Sequence, residues 1–188
     1  TLTTSSAASD VYKRQEYQLA NSAKGQHIHF IINNGPYYAK YTTDFVHEKW
    51  DQTSDNNVVL AFLSRSYHES VKNKNAYFLT QIGGDVSNKK DLSKELLFYS
   101  RPKGVYKGAD TERVLLDFYL VNTSLAPNGN KVKVTIQGTE FLIDEWAPYY
   151  IEGLPKGEIS IKLELIDSKG YLIAVSYTHL RAHETLLD

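Results

Sequence analysis

His27 and His29 stand one residue apart in Gly25-Gln26-His27-Ile28-His29-Phe30. On a β-strand, residues i and i+2 point to one face with Cα atoms about 6.5–7 Å apart. Two imidazoles at that spacing can converge on one ion. His68, in Arg65-Ser66-Tyr67-His68-Glu69, follows a second apolar run, Val58-Val59-Leu60-Ala61-Phe62-Leu63. Antiparallel pairing of the two segments would carry His68 beside the first pair. Imidazole nitrogens bind zinc or copper at about 2.0–2.1 Å. Three of them without a thiolate select those ions over calcium and magnesium. His27, His29 and His68 are therefore the candidate ligands of a copper or zinc ion, with His47 as a further donor on a loop. The competing reading makes them ordinary polar residues of a strand face, or part of an interface between two units.

A second chemistry is available elsewhere. Arginine pairs bidentately with phosphate, so Arg65, Arg101 and Lys103 could hold a phosphorylated peptide. Trp146, between Asp144-Glu145 and Pro148-Tyr149-Tyr150, could stack on a sugar ring or a polymer. Aromatic residues at strand edges more often pack on a neighbouring sheet. The forkhead-associated pattern of Gly-Arg and Ser-x-x-His is missing, as is the Gly-x-Ser-x-Gly elbow of hydrolases. Gly83-Gly84 is a lone turn and not a phosphate-cradling loop.

Composition bounds the classes further. A net charge of −1 gives no electrostatic case for nucleic acid or an anionic membrane. No run of apolar residues is long enough to span a bilayer as a helix. The chain has no cysteine, which removes disulfides and thiolate sites. Hydrophobic content of 41% and charged content of 23% fit a globular protein, and 14 tyrosines favour half-buried pleated surfaces.

The elements that must position the histidines have a period of two. Val132, Val134 and Ile136 alternate with Lys131, Lys133 and Thr135, and Ile159, Ile161, Leu163 and Leu165 alternate with Ser160, Lys162 and Glu164. That is the pattern of half-buried antiparallel strands. The segment from His27 to Ile32 resembles that from Lys131 to Ile136, and the run from Val58 to Leu63 resembles that from Ile161 to Ile166. A similarity at a fixed offset reads as one duplicated supersecondary unit. Aligned this way, His27 and His29 match Lys131 and Lys133 and are expected to face away from the core. Residues 91–97 are expected to form a short helix. The expected fold is all-β, with two related antiparallel β-sandwich-like (Ig-like) units over residues 16–99 and 100–174.

Residues 1–15 and 175–188 resemble translated sequencing-adapter read-through. They are expected to be artefactual tails that pack poorly, so His179 and His183 are set aside as ligands. The chain contains no methionine and reads as an internal fragment. Any signal peptide would have preceded Glu16.

The string Gly25-Gln26-His27-Ile28-His29-Phe30-Ile31-Ile32-Asn33-Asn34-Gly35-Pro36-Tyr37 resembles the opening motif of small secreted bacterial β-proteins, among them several domains of unknown function. Residues 21–172 resemble a group of envelope proteins of Gram-negative bacteria, some labelled phosphopeptide-binding proteins. Leu97-Phe98-Tyr99-Ser100-Arg101-Pro102-Lys103-Gly104 and Glu140-Phe141-Leu142-Ile143-Asp144-Glu145-Trp146 carry that likeness. The resemblance implies a periplasmic, outer-membrane or secreted location and assigns no catalytic residue. The expected function is non-enzymatic binding of copper or zinc. The alternative is a peptide- or carbohydrate-binding or adhesion module. An oxidative copper enzyme would need an open coordination position.

Overall fold

The computed structural model describes residues 2–4, 21–50, 55–73, 75–85, 89–174 and 180–187. Among them the protein is all-β, as expected. The strands are β1 (Leu2–Thr4), β2 (His27–Ile32), β3 (Tyr38–Lys40), β4 (Asn57–Ser64), β5 (Tyr77–Ile82), β6 (Leu96–Arg101) and β7 (Val105–Lys107). After a short 3-10 turn at Gly108–Thr111 come β8 (Arg113–Val121), β9 (Lys131–Ile136), β10 (Thr139–Ile143), β11 (Tyr149–Glu152), β12 (Gly157–Ile166) and β13 (Leu180–Leu187).

These strands form three sheets in the orders β3-β2-β4-β5, β1-β11-β8-β6 and β10-β9-β12-β13-β7. In the middle one of these, β1-β11-β8-β6, strands β6 and β8 are buried on both faces. Leu97 and Tyr99 of β6 and Leu116, Phe118 and Leu120 of β8 enter a core with Val132, Val134, Ile161 and Leu163. Their alternate neighbours Leu96, Phe98, Tyr119 and Val121 enter another core with Ile31, Val58, Leu60 and Phe62. Strands buried on both faces read as near-continuous apolar runs, which is why Leu96-Leu97-Phe98-Tyr99 does not alternate.

The helix expected at residues 91–97 is absent. Asp91 instead makes a turn in which its carboxylate accepts from the Ser93 N–H at 3.0 Å, and β6 begins at Leu96. Two-sided burial had made an apolar run look like one face of a helix. The boundary expected at residues 99–100 falls inside β6, whose side chains serve both cores.

The described parts of both terminal segments also carry strands. β1 pairs with β11, and β13 lies between β12 and β7, with Leu186 only 2% exposed in the core. His183 sits on β13, paired with Ser160, and not on a helix; His179 lies outside the described residues.

The two outer sheets share a strand order, β3-β2-β4-β5 against β10-β9-β12-β13. Their inner faces do not match the sequence alignment. β2 pairs with β4 so that His29 lies opposite Phe62 and Ile31 opposite Leu60. Directly opposed residues share a face, and Phe62 and Leu60 point into the core. His27 and His29 therefore face inward, and the expected outward orientation is corrected. A strand has a period of two, so an offset of one residue exchanges its faces.

Candidate metal centre

The register that turns the histidines inward also brings in the third. His27 pairs with Ser64, the last residue of β4. The chain then folds back through a tight turn, with Arg65 N–H donating to Glu69 O at 2.9 Å and His68 N–H to Arg65 O at 2.9 Å. His68 sits at the corner with φ of 71°. Such left-handed backbone costs a non-glycine residue about 1–3 kcal/mol and persists where the surroundings fix it.

Those surroundings are buried polar anchors. Asp117 of β8 is fully buried and accepts from Ser70 N–H at 3.2 Å, Ser70 Oγ at 3.0 Å and Lys72 Nζ at 2.6 Å. Tyr150 donates to Glu69 Oε1 at 2.9 Å. The turn carrying His68 is thereby tied to the middle sheet on its C-terminal side. A buried ion pair of this kind contributes position more than net stability.

Three ring nitrogens meet at the result. His27 Nε2 lies 3.1 Å from His29 Nε2 and 3.0 Å from His68 Nδ1, and all three fall within 4.8 Å of one another. Nitrogens bound to one ion at about 2.0–2.1 Å stand about 3–3.5 Å apart. The far nitrogens of two rings have oxygen partners. His27 Nδ1 is 2.9 Å from Gly25 O, and His29 Nδ1 is 3.0 Å from Ser100 Oγ. Metal-bound imidazoles commonly donate their other N–H to such oxygens. With Nδ1–H of His27 and of His29 donated outward, the two Nε2 lone pairs face each other across 3.1 Å. One cation between them satisfies both, and the His68 lone pair as well.

The electrostatics keep those lone pairs open. Burial lowers the pKa of His27; the Gly25 carbonyl pulls it partly back up, and Arg101 adds a smaller downward push. His29 is held well below the usual imidazole range, first by burial and then by His27, His68, Arg101 and Lys103. His68 is pushed down to about 3 by burial, then by Arg101, His27 and Lys103. Neutral imidazoles are the form that ligates.

Tyr37 closes the site from the turn after β2. Asn33 and Asn34 both have positive φ, and Gly35 N–H donates to Ile32 O at 2.9 Å. Asparagine tolerates this conformation and makes such tight hairpins. Asn34 also docks on the edge of β6, donating to Leu97 O and accepting from Tyr99 N–H, each at 3.0 Å. The Tyr37 ring then lies flat on His29, with centroids 3.6 Å apart and planes at 7°. Its hydroxyl is 3.4 Å from His68 Nδ1 and accepts from Arg101 Nη2. Lys103 donates to the Tyr37 carbonyl at 2.5 Å and sits over its ring at 4.2 Å. Burial raises the Tyr37 hydroxyl to about 12. On the other side, His27 borders a cleft of about 320 Å³ lined also by Lys40, Tyr41, Leu63 and Arg65.

The structure thus brings Arg101 and Lys103 to the histidines through Tyr37, and Arg65 to the cleft beside them. Trp146 lies elsewhere. Its indole donates to Phe118 O at 3.1 Å and meets Tyr119 edge-on at 5.0 Å, packed against both cores. His47 is on the opposite face of β2, against Phe30, Tyr38 and Trp50, and cannot be a further donor to the cluster. Sequence reasoning missed Tyr37 and Ser100. A signal existed for Ser100, which continues the inward row Leu96, Phe98 with a hydroxyl where an apolar side chain would fill the core. Comparison with family models, curated proteins and solved structures returned no match.

Proposed function

We propose that this protein binds one copper or zinc ion through His27 Nε2, His29 Nε2 and His68 Nδ1, in a non-enzymatic role in the bacterial cell envelope. The carrying observation is the convergence of three ring nitrogens, with His27 Nε2 at 3.1 Å from His29 Nε2 and 3.0 Å from His68 Nδ1 and all three within 4.8 Å of one another. The envelope location rests on the sequence resemblance over residues 21–172. A peptide- or carbohydrate-binding surface has less support, because Trp146 packs inward and Arg101 and Lys103 close on Tyr37.

Thermal unfolding with added zinc or copper(II) tests the reading. An ion that binds only the folded state at 100 times its Kd adds about 2.7 kcal/mol. For a chain of this size that corresponds to a rise in Tm of about 5–10 °C. His27→Ala should abolish the rise. An unchanged rise in the variant, or none in the parent protein, would refute the site.

A further inference from the structure

Three neutral imidazoles bring no charge to offset a divalent ion, and no carboxylate joins the cluster among the described residues. The nearest formal charges have the wrong sign. Arg101 donates to the Tyr37 hydroxyl, itself 3.4 Å from His68 Nδ1, and Lys103 sits over the Tyr37 ring at 4.2 Å. Arg101 has no carboxylate partner among the described residues, and its Nε is buried without any acceptor. An ion placed here without an anion would face two cations across a poorly solvated gap. An anionic donor must therefore complete the site.

Tyr37 has the position for it. Its hydroxyl oxygen lies 3.4 Å from His68 Nδ1, the separation expected of two ligands on one ion, and it already accepts from Arg101. The flat stack on His29 and the Lys103 contact to its carbonyl hold the ring over the cluster. We propose that Tyr37 Oη is the fourth ligand of the ion, bound as a phenolate whose charge is shared with Arg101; this deepens the three-histidine reading and rests on it. On binding, the O–H proton leaves to solvent and the oxygen lone pair goes to the metal, one proton released per ion from Tyr37. The site then has three nitrogens and one oxygen, a set that zinc takes as a tetrahedron and copper(II) also accepts.

The test is copper(II) titration of the full chain followed by visible absorption and resonance Raman. A phenolate-to-copper(II) charge-transfer band should grow to one equivalent, and excitation within it should enhance phenolate ring vibrations. Zinc should instead produce the ultraviolet difference spectrum of one tyrosinate. Tyr37→Phe should still bind one copper but without the band, and with affinity reduced at least tenfold. Arg101→Gln should keep the band and weaken binding about 10–100-fold, the usual effect of losing a partner of a ligand. Stoichiometric copper binding with no charge-transfer band, or equal affinity in Tyr37→Phe, would overturn the Tyr37 assignment and leave the three histidines standing. A parent protein that binds neither ion would overturn both. Absence of the band in the parent protein overturns the assignment even if Tyr37→Phe fails to fold.

Discussion

The two outer sheets use one strand order for opposite ends. In β10-β9-β12-β13 the inner row of β9 is Val132, Val134 and Ile136, all buried in one apolar core. In β3-β2-β4-β5 the inner row of β2 is His27, His29 and Ile31, and only Ile31 joins the apolar cluster. The second sheet seals against the middle layer. The first seals at one end and, at the other, encloses nitrogen and oxygen atoms under Tyr37 and beside Ser100. Identical scaffolding thus supports a purely cohesive interface and a polar pocket. What separates them is which alternate residues the register turns inward.

Exchanging the inner rows should have its largest effect in the apolar core of β9. Val134→His would place an imidazole in a core with no Ser100 or Gly25 carbonyl to receive its N–H. Burying a polar group without a partner and overfilling a packed site should together cost about 3 kcal/mol or more. Urea unfolding would measure it. A loss below about 1 kcal/mol would mean the two inner faces are less different than the packing implies.

Acid should separate the sheets next. His29 and His68 have folded pKa values below that of the unfolded chain, so the unfolded state binds more protons in between. Their contribution is fully present above about pH 6.5 and is lost as pH falls from there toward about 3, the His68 value. Hydrogen exchange at pH 5 should therefore accelerate in β2 and β4 before β9 and β12. Equal acceleration in both outer sheets would contradict this.

The smallest effect should come from His68→Gly. Glycine takes the positive φ of that corner without strain, which offsets the ring contacts removed. Stability without metal should stay within about 1 kcal/mol of the parent, while the metal-induced rise in Tm disappears. A loss of several kcal/mol without metal would assign His68 to packing.

Much of this was written in the residues. The period of two in β9 and β12 fixed their strands and their faces, because each has one wet side. The His-x-His spacing placed two imidazoles on one side of β2, and the run from Val58 to Leu63 predicted the strand that leads to His68. The doubly buried strands of the middle sheet were harder to read. β6 and β8 are apolar on both faces, so periodicity carried no information, and residues 91–97 passed for a helix.

Which face of β2 turned inward was a tertiary decision. Alternation makes Phe30 and His29 equally eligible for a core, and only pairing with Phe62 and Leu60 chose between them. The hydrogen bonds that set the His68 corner reach to Asp117 and Tyr150, 47 and 81 residues further along the chain from Ser70 and Glu69. Tyr37, Ser100 and Arg101 meet the histidines because Asn34 docks the first hairpin on β6. Residue types and spacing determine which groups can ligate and which side of a strand they share. Contacts between distant segments decide whether those groups meet, since local sequence does not encode the register between strands.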